Sequence, residues 1–243
     1  MSPEFCVILP TFNNATTLKK VLDDVLSMTT DIIVVNDGST DHTEEILSSY
    51  TGIHLLSYSK NKGKGYALFF GLQKALSLGY SYGITMDTDG QHFAEDIALF
   101  QNTIKDHPGA LLIGSRSFHH ENMPGGNSFA NRFSNFWFRL QTSRKLPDTQ
   151  SGFRMYPLKK IEKMRLFSKR YEAELELLVR LAWKDVPVIP VDIRVYYAPG
   201  EERVTHFRPF TDFFRISILN TLLTFAAFFY FYPKKAWKRI LAP

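Results

Sequence analysis

Short apolar runs that alternate with amphipathic helices constrain the fold of this chain more than any other feature. The runs are residues 5–9, 32–35, 53–58, 82–86 and 110–113. Between the first two, Thr16 to Met28 carries apolar residues at helical spacing. Strands that are apolar on both faces are typical of a parallel sheet with helices on both sides. The sequence therefore predicts an α/β fold with a mostly parallel central sheet.

This alternation covers about residues 1–200, which we predict to be one domain, and residues 201–243 differ from it. Ile216 to Tyr232 is almost wholly apolar and is followed by Lys234, Lys235 and Lys238. The apolar run is a little shorter than the ~20 residues that a spanning helix needs. We expect a C-terminal helix that lies in a membrane surface and is held there by basic residues. Packing against the domain, or against a second subunit in a homodimer, is the alternative interpretation.

Two carboxylates end the fourth apolar run. Asp87 and Asp89 follow Met86 directly, and Gly90 and Gln91 come next. The carboxyl ends of the strands are where open α/β sheets bind ligands. Two carboxylates so close repel each other unless a cation lies between them, and a hard divalent metal that carries substrate phosphates is the usual cation. A pair of turn-forming, solvated aspartates is the structural alternative.

Charge and cysteine content set broad limits on partners and compartment. The formal charge of +5 suits an anionic partner, and charge alone leaves open nucleic acid, a membrane surface and a phosphorylated substrate. The single cysteine, Cys6, lies in an apolar run and is predicted to be a buried core residue in a reducing compartment. The N-terminus has neither a basic region nor a long apolar core, so no secretory signal is expected.

Polar loops follow the first four strands, and together they carry a family resemblance. The loops are Pro10 to Asn14, Asn36 to Asp41, Asn61 to Gly65 and Asp87 to Gln91, followed downstream by Asp148 to Arg154. At these intervals they resemble the nucleotide-diphosphosugar-binding half of the family 2 glycosyltransferases, which have the GT-A fold. The resemblance covers about residues 5–200 and is closest to the branch of the dolichol-phosphate mannose synthases and undecaprenyl-phosphate sugar transferases.

The resemblance implies a donor site for a UDP- or GDP-linked sugar. Pro10, Thr11, Phe12 and Asp37 are expected to line the base and ribose pocket, although the family usually has Glu where this chain has Asn14. For Asp37, a role in starting the following helix is the structural alternative. Lys64 would lie near the diphosphate.

Asp87, Asp89 and Gln91 match the family's metal-binding pattern and would hold Mg²⁺ or Mn²⁺. Alternating positions at a strand end are expected to place these three side chains on one side. The metal would neutralise the leaving diphosphate.

The resemblance also implies an acceptor site for a membrane lipid, with a polyprenyl phosphate as the preferred acceptor, and it implies no nucleic-acid partner. Arg116 and Arg132 match the positions that bind the acceptor phosphate, since a guanidinium pairs with phosphate through two donors. Asp148 is expected either to orient an arginine or to act as a base for a hydroxyl acceptor, which would belong to another lipid or a lipid-linked saccharide. The enzyme would then be an inverting transferase on the cytoplasmic face of the membrane.

Two interpretations from other classes compete with this one. A phosphohydrolase of the haloacid-dehalogenase type has a nucleophile motif similar to Met86–Gly90, but it has that motif on its first strand. A non-catalytic, membrane-recruited nucleotide-binding module would keep the fold and lose the chemistry. Intact Asp87 and Asp89 favour an enzyme over such a module.

Overall fold

The computed structural model describes residues 4–116, 125–197 and 208–241. Within those residues the chain forms seven strands and nine α-helices. The strands are β1 (Phe5–Thr11), β2 (Ile32–Asn36), β3 (His54–Ser57), β4 (Tyr82–Thr85), β5 (Leu111–Arg116), β6 (Arg154–Pro157) and β7 (Val188–Ile193). The helices are α1 (Ala15–Leu26), α2 (Thr43–Ser48), α3 (Lys64–Ser77), α4 (Ile97–Asp106), α5 (Gly125–Thr142), α6 (Leu158–Ile161), α7 (Glu172–Trp183), α8 (Pro209–Ala226) and α9 (Tyr232–Leu241).

The strands form one sheet in the order β3-β2-β1-β4-β6-β5-β7. Every pairing is parallel except those of β6, which lies antiparallel between β4 and β5. The prediction of a mostly parallel α/β sheet is confirmed. The sequence pattern did not reveal β6, a four-residue strand with no polar alternation.

Two apolar layers cover the sheet, one on each face. Along β1, Cys6 and Ile8 contribute to one layer, and Val7 and Leu9 contribute to the other. This alternation follows from the two-residue period of a strand. The buried side of α1 consists of Leu18, Val21, Leu22 and Val25, as its helical spacing predicts. Cys6 is completely buried, in agreement with its predicted core role.

The C-terminal segment is one continuous helical run that is longer than expected. Helix α8 passes through a π-helical turn at Ala227–Phe231 into α9. One side packs on the domain: Leu219 and Leu223 are buried, and Gln141 of α5 donates from Nε2 to the Asn220 side-chain oxygen at 3.1 Å. By length and composition, the described stretch Phe210–Lys238 is the one candidate for a membrane span among the described residues.

Candidate active site

The carboxyl ends of four neighbouring parallel strands lie at one edge of the sheet. Asn36, the last residue of β2, is in register with Thr11 of β1 and with Ser57 of β3. On the other side of β1, Ile8 is in register with Thr85, the last residue of β4. The four polar loops therefore leave the sheet at the same edge, where α/β folds bind their ligands.

Hydrogen bonds connect these loops to one another. Asn13 has a positive φ of 49°, and its side-chain oxygen accepts the Thr40 N–H at 2.8 Å. Asn14 donates from Nδ2 to the Thr88 hydroxyl at 2.7 Å, and Thr88 lies between the two aspartates. Asn14 therefore positions the loop that carries Asp87 and Asp89.

A cavity of about 610 Å³ opens at this edge of the sheet. It is lined by all but one of the residues predicted for the donor and the metal: Pro10, Thr11, Phe12, Asp37, Lys64, Asp87 and Asp89. Gln91 is absent from the lining. The lining also includes residues that the sequence did not single out for a donor site: Asn61, Arg170, Tyr171 and Arg208.

Asp37 holds the loop that follows β3. Its carboxylate accepts the backbone N–H groups of Lys62 and Gly63 at 2.7 and 2.9 Å, and the side-chain amide of Asn61 at 3.0 Å. Burial raises the pKa of the Asp37 carboxyl, although the two N–H donors lower it. We expected Asp37 either to line the nucleotide pocket or to start the following helix. Holding the loop after β3 is a third role, which local sequence patterns do not predict because the contact joins residues that are distant in sequence.

Lys64, Asp87 and Glu174 form an ion cluster in the cavity wall. The Lys64 ammonium lies 2.8 Å from the nearer Asp87 oxygen and 2.9 Å from Glu174 Oε1. Burial opposes ionisation of Asp87, but the positive charge of Lys64 holds the pKa of that carboxyl below its ordinary value. Gly152 packs against the same carboxylate, where a Cβ would come within 2.6 Å of Asp87 Oδ2. The sequence analysis did not single out Glu174 for this contact.

The expected geometric reason for grouping Asp87, Asp89 and Gln91 is wrong. Strand β4 ends at Thr85, so these residues do not alternate on a strand. The chain turns at Gly90, where φ is +76°, and the Gln91 N–H donates to Asp89 Oδ1 at 3.0 Å. The Gln91 carbonyl then accepts the N–H of Tyr196. Gln91 therefore belongs to a segment that runs alongside residues 195–196, and its role as a metal ligand stays a prediction.

The remaining two carboxylates fit a hard divalent cation that is shared with a substrate. No group of three or more His, Cys, Asp or Glu side chains among the described residues could hold a metal alone. Asp87 and Asp89 nevertheless both line the cavity, and Mg²⁺ is usually bound by one or two carboxylates together with substrate phosphates. Lys64 neutralises only part of the negative charge here, because Glu174 and Asp89 add carboxylates beside Asp87, so the local field still favours a cation.

His92 lies close to both aspartate-bearing regions of the site. Burial lowers the pKa of His92 to about 4, with the charges of Asp87, Lys64, Arg116 and Asp148 as smaller effects. The imidazole is therefore neutral near pH 7. Its ring packs against Phe153 at a centroid distance of 5.2 Å.

Arg116 and Asp148 bind each other. Arg116 donates from Nε to Asp148 Oδ2 at 2.6 Å and from Nη2 to Asp148 Oδ1 at 3.0 Å. Asp148 is completely buried, and the Gln150 N–H also donates to it. Of the two roles expected for Asp148, the structure shows the orientation of an arginine. The alternative role as a base stays a prediction, although both carboxylate oxygens accept hydrogen bonds and lie away from solvent.

Arg132 does not join Arg116 at the cavity. It lies on α5 with an exposed side chain, and it forms no ion pair with any described residue. Neither Arg116 nor Arg132 is among the cavity-lining residues. The structure therefore does not bring the two predicted acceptor arginines together with the donor site.

The family model for glycosyl transferase family 2 matches residues 6–165. A UDP-N-acetylglucosamine–dolichyl-phosphate N-acetylglucosaminyltransferase of Methanococcus voltae is 29% identical over 213 residues, which cover 79% of this chain and 85% of that protein. A polyprenol monophosphomannose synthase of Mycolicibacterium smegmatis is 28% identical over 200 residues, which cover 77% of this chain and 75% of that protein.

Among solved structures, the chain is similar to glucosyl-3-phosphoglycerate synthase of Mycobacterium tuberculosis, crystallised with Mn²⁺, UDP and phosphoglyceric acid. The TM-score is 0.67 with 17% sequence identity, and the match covers 93% of this chain and 78% of that one. At this identity the likeness supports the GT-A fold and carries no argument about substrate.

Proposed function

Because the chain belongs to glycosyl transferase family 2, we propose that it transfers a sugar from a nucleotide-diphosphate donor to a polyprenyl phosphate in a membrane. The enzyme class follows from the family, and it removes the phosphohydrolase and the non-catalytic module as alternatives. The acceptor, the metal and the place of reaction are the parts that we propose here. We place residues 1–200 in the catalytic domain and residues 201–243 in the membrane-associating extension.

The observation that carries the proposal is that one helix connects the polar cavity to an exposed apolar surface. Arg208, the residue before α8, lines the cavity. The same helix then exposes large apolar side chains on its outer side: Phe210, Phe213, Phe214, Ile218, Leu222 and Phe225. A contiguous apolar surface of this kind on a basic protein favours a membrane interface. This arrangement would bring a lipid head group to the sugar donor.

The C-terminal end of this helical segment also carries exposed aromatic residues followed by basic ones, a pattern typical of a membrane anchor. Phe228, Phe229 and Tyr230 are more than half exposed, and Lys234 follows them. Between α5 and α8, an apolar cavity of about 560 Å³ is lined mainly by Trp137 and phenylalanines, which suits a hydrocarbon chain. We place the enzyme on the cytoplasmic face, in keeping with its single reduced cysteine.

The ion pair between Asp148 and Arg116 favours a phosphate acceptor over a hydroxyl acceptor. A hydroxyl needs a positioned carboxylate to take its proton, and Asp148 is engaged by Arg116. A lipid phosphate is already anionic at neutral pH, so it can attack the anomeric carbon directly and invert it. Mg²⁺ or Mn²⁺ held by Asp87 and Asp89 would supply positive charge to the leaving diphosphate.

A transfer assay with full-length protein tests the proposal. We would offer UDP- and GDP-linked radioactive sugars, Mn²⁺ and farnesyl phosphate, and measure label in the organic phase. A sugar joined through phosphate is released by mild acid, whereas a sugar on a lipid hydroxyl is retained. Acid-labile product supports the proposal, and acid-stable product from farnesol or a lipid extract would contradict it.

A further inference from the structure

We predicted that Lys64 lies near the diphosphate of the substrate. Carboxylates of the protein already neutralise its positive charge. Its ammonium lies within 2.9 Å of both Asp87 and Glu174, so one positive charge faces two negative ones. Asp89 adds another carboxylate to the same cavity. Even with the proposed divalent metal, these three carboxylates offset the charges of the metal and Lys64, so an anionic phosphate that enters this cavity needs further cations.

Two other cations line the same cavity. Arg170 and Arg208 form no side-chain ion pair with any residue that the structure describes. The recorded hydrogen bond of Arg208 uses its backbone N–H, which donates to Asp212 at 2.7 Å and leaves the guanidinium uninvolved. These two guanidinium groups therefore keep their donors for a ligand.

The local backbone holds Arg170 at the donor side of the cavity. The Tyr66 N–H donates to the Lys169 carbonyl at 2.9 Å, which joins the start of α3 to the segment before α7. The side chain of Arg170 packs against Gly63, where a Cβ would come within 2.8 Å of Arg170 Cγ. The positive charge of Arg170 is also felt by Asp37, whose pKa it lowers against the larger effect of burial.

We infer that Arg170 and Arg208 bind the phosphate oxygens of the substrates in this cavity, the role that the sequence assigned to Arg116 and Arg132. This inference rests on the proposed function. A planar guanidinium donates two parallel hydrogen bonds to phosphate, so a pair of arginines can hold one phosphate group or two adjacent ones. The phosphate can belong to the nucleotide diphosphate of the donor or to the lipid acceptor.

The test compares Arg170→Ala and Arg208→Ala with Lys169→Ala in the full-length protein. Lys169 is an exposed neighbour whose side chain does not line the cavity, so it controls for loss of surface charge. Binding of UDP, GDP, CDP and dTDP is measured by calorimetry, with the matching nucleosides as phosphate-free probes. The KM for farnesyl phosphate is measured separately at saturating donor.

Loss of a charged hydrogen bond weakens binding about tenfold or more. If the arginines hold the donor, the alanine variants lose that factor for the nucleotide diphosphate and not for the nucleoside. If they hold the acceptor, the KM for farnesyl phosphate rises by the same factor while nucleotide binding is unchanged. Arg→Lys at either position restores part of the loss, which a merely structural role would not give.

Arginine variants that match Lys169→Ala in both assays would overturn the inference. The proposed function would still stand if the wild-type protein transfers sugar to farnesyl phosphate. A wild-type protein that binds none of the four nucleotides and transfers no sugar would instead remove the proposed function itself. Thermal unfolding of each variant shows whether a change in binding comes from a change in fold.

Discussion

Arg116 and Asp148 form a two-point ion pair, with N–O distances of 2.6 and 3.0 Å, in which the carboxylate is completely buried. Breaking a buried pair leaves an uncompensated charge, which costs ~3–5 kcal/mol of folding free energy. We therefore expect Arg116→Ala and Asp148→Ala each to lower stability by that order, and the double variant to lose less than the sum of the two.

A double-mutant cycle by urea denaturation checks this expectation. Lys105→Ala is a suitable control because Lys105 is exposed and, among the described residues, its amine donates a hydrogen bond only to the Asn102 side chain. Additive losses from Arg116→Ala and Asp148→Ala would mean that the pair does not act as a unit. In that case Asp148 would again be a candidate for a base.

For this pair, the sequence predicted the region of the fold and did not predict the contact between the two side chains. The sequence placed both residues in one functional region, because each lies in a motif of the family. It left the role of Asp148 open, because burial and the choice of partner depend on how β5 and the loop before β6 pack together. Arg154 is a similar case: it is 1% exposed and donates to the carbonyls of Ser151, Thr149 and Glu174, so it is not open to a substrate.

Local sequence patterns predicted the sheet and the aspartates that line the cavity. They did not predict contacts between segments that are distant in sequence. Asp37 directly follows β2, and Asp87 and Asp89 lie within four residues of the end of β4, so the strand-end rule was enough to find them. Glu174 is far from Lys64 in sequence and has no motif of its own. Strand β6 is short and fully buried, which gives neither the two-residue alternation nor the length that would mark it.

Removing the Asp37 side chain should weaken nucleotide binding and loosen the loop after β3. Asp37→Ala leaves the N–H groups of Lys62 and Gly63 without their acceptor, so we expect ~1.5–3 kcal/mol of lost donor affinity. Calorimetry with UDP and GDP measures the loss, and hydrogen exchange at residues 61–63 reports the loop. Unchanged affinity would leave Asp37 with a role in the loop only, and exchange no faster than in the wild type would contradict that role.

Asp89→Asn should abolish transfer while the protein stays folded. Asp89 lines the cavity and is not one of the carboxylates that pair with Lys64, so the change removes a proposed metal ligand and leaves the ion pairs of Lys64 intact. Chelator should reproduce the loss in the wild type, and Mn²⁺ or Mg²⁺ should reverse it. Full activity of the variant, or activity that chelator leaves untouched, is incompatible with the proposed metal.

The thiol of Cys6 should be unreactive in the native protein. Cys6 is completely buried, and burial raises the pKa of its thiol to about 12. Because the folded pKa is raised, the thiol's contribution to stability is complete below its unfolded pKa of about 8.5 and is lost as pH rises towards 12. Ellman's reagent at pH 8 should label the native protein only at the rate of unfolding and label one thiol at once in denaturant. Fast labelling without denaturant would show that β1 opens locally.

The exposed side of the C-terminal helical run should bind lipid. Phe225 and Phe229 stack at a centroid distance of 6.1 Å and are 59% and 77% exposed, so replacing both with Asp puts two charges on the surface that we propose to enter the membrane. We expect the double variant to leave anionic vesicles in a flotation assay and to lose transfer to long-chain acceptors more than to farnesyl phosphate. Phe167→Asp is the matched control, because Phe167 is 86% exposed on a different part of the domain. If the double variant still floats, or if it changes only a monomer–dimer equilibrium measured by light scattering, the aromatic surface is an interface between two copies of the chain.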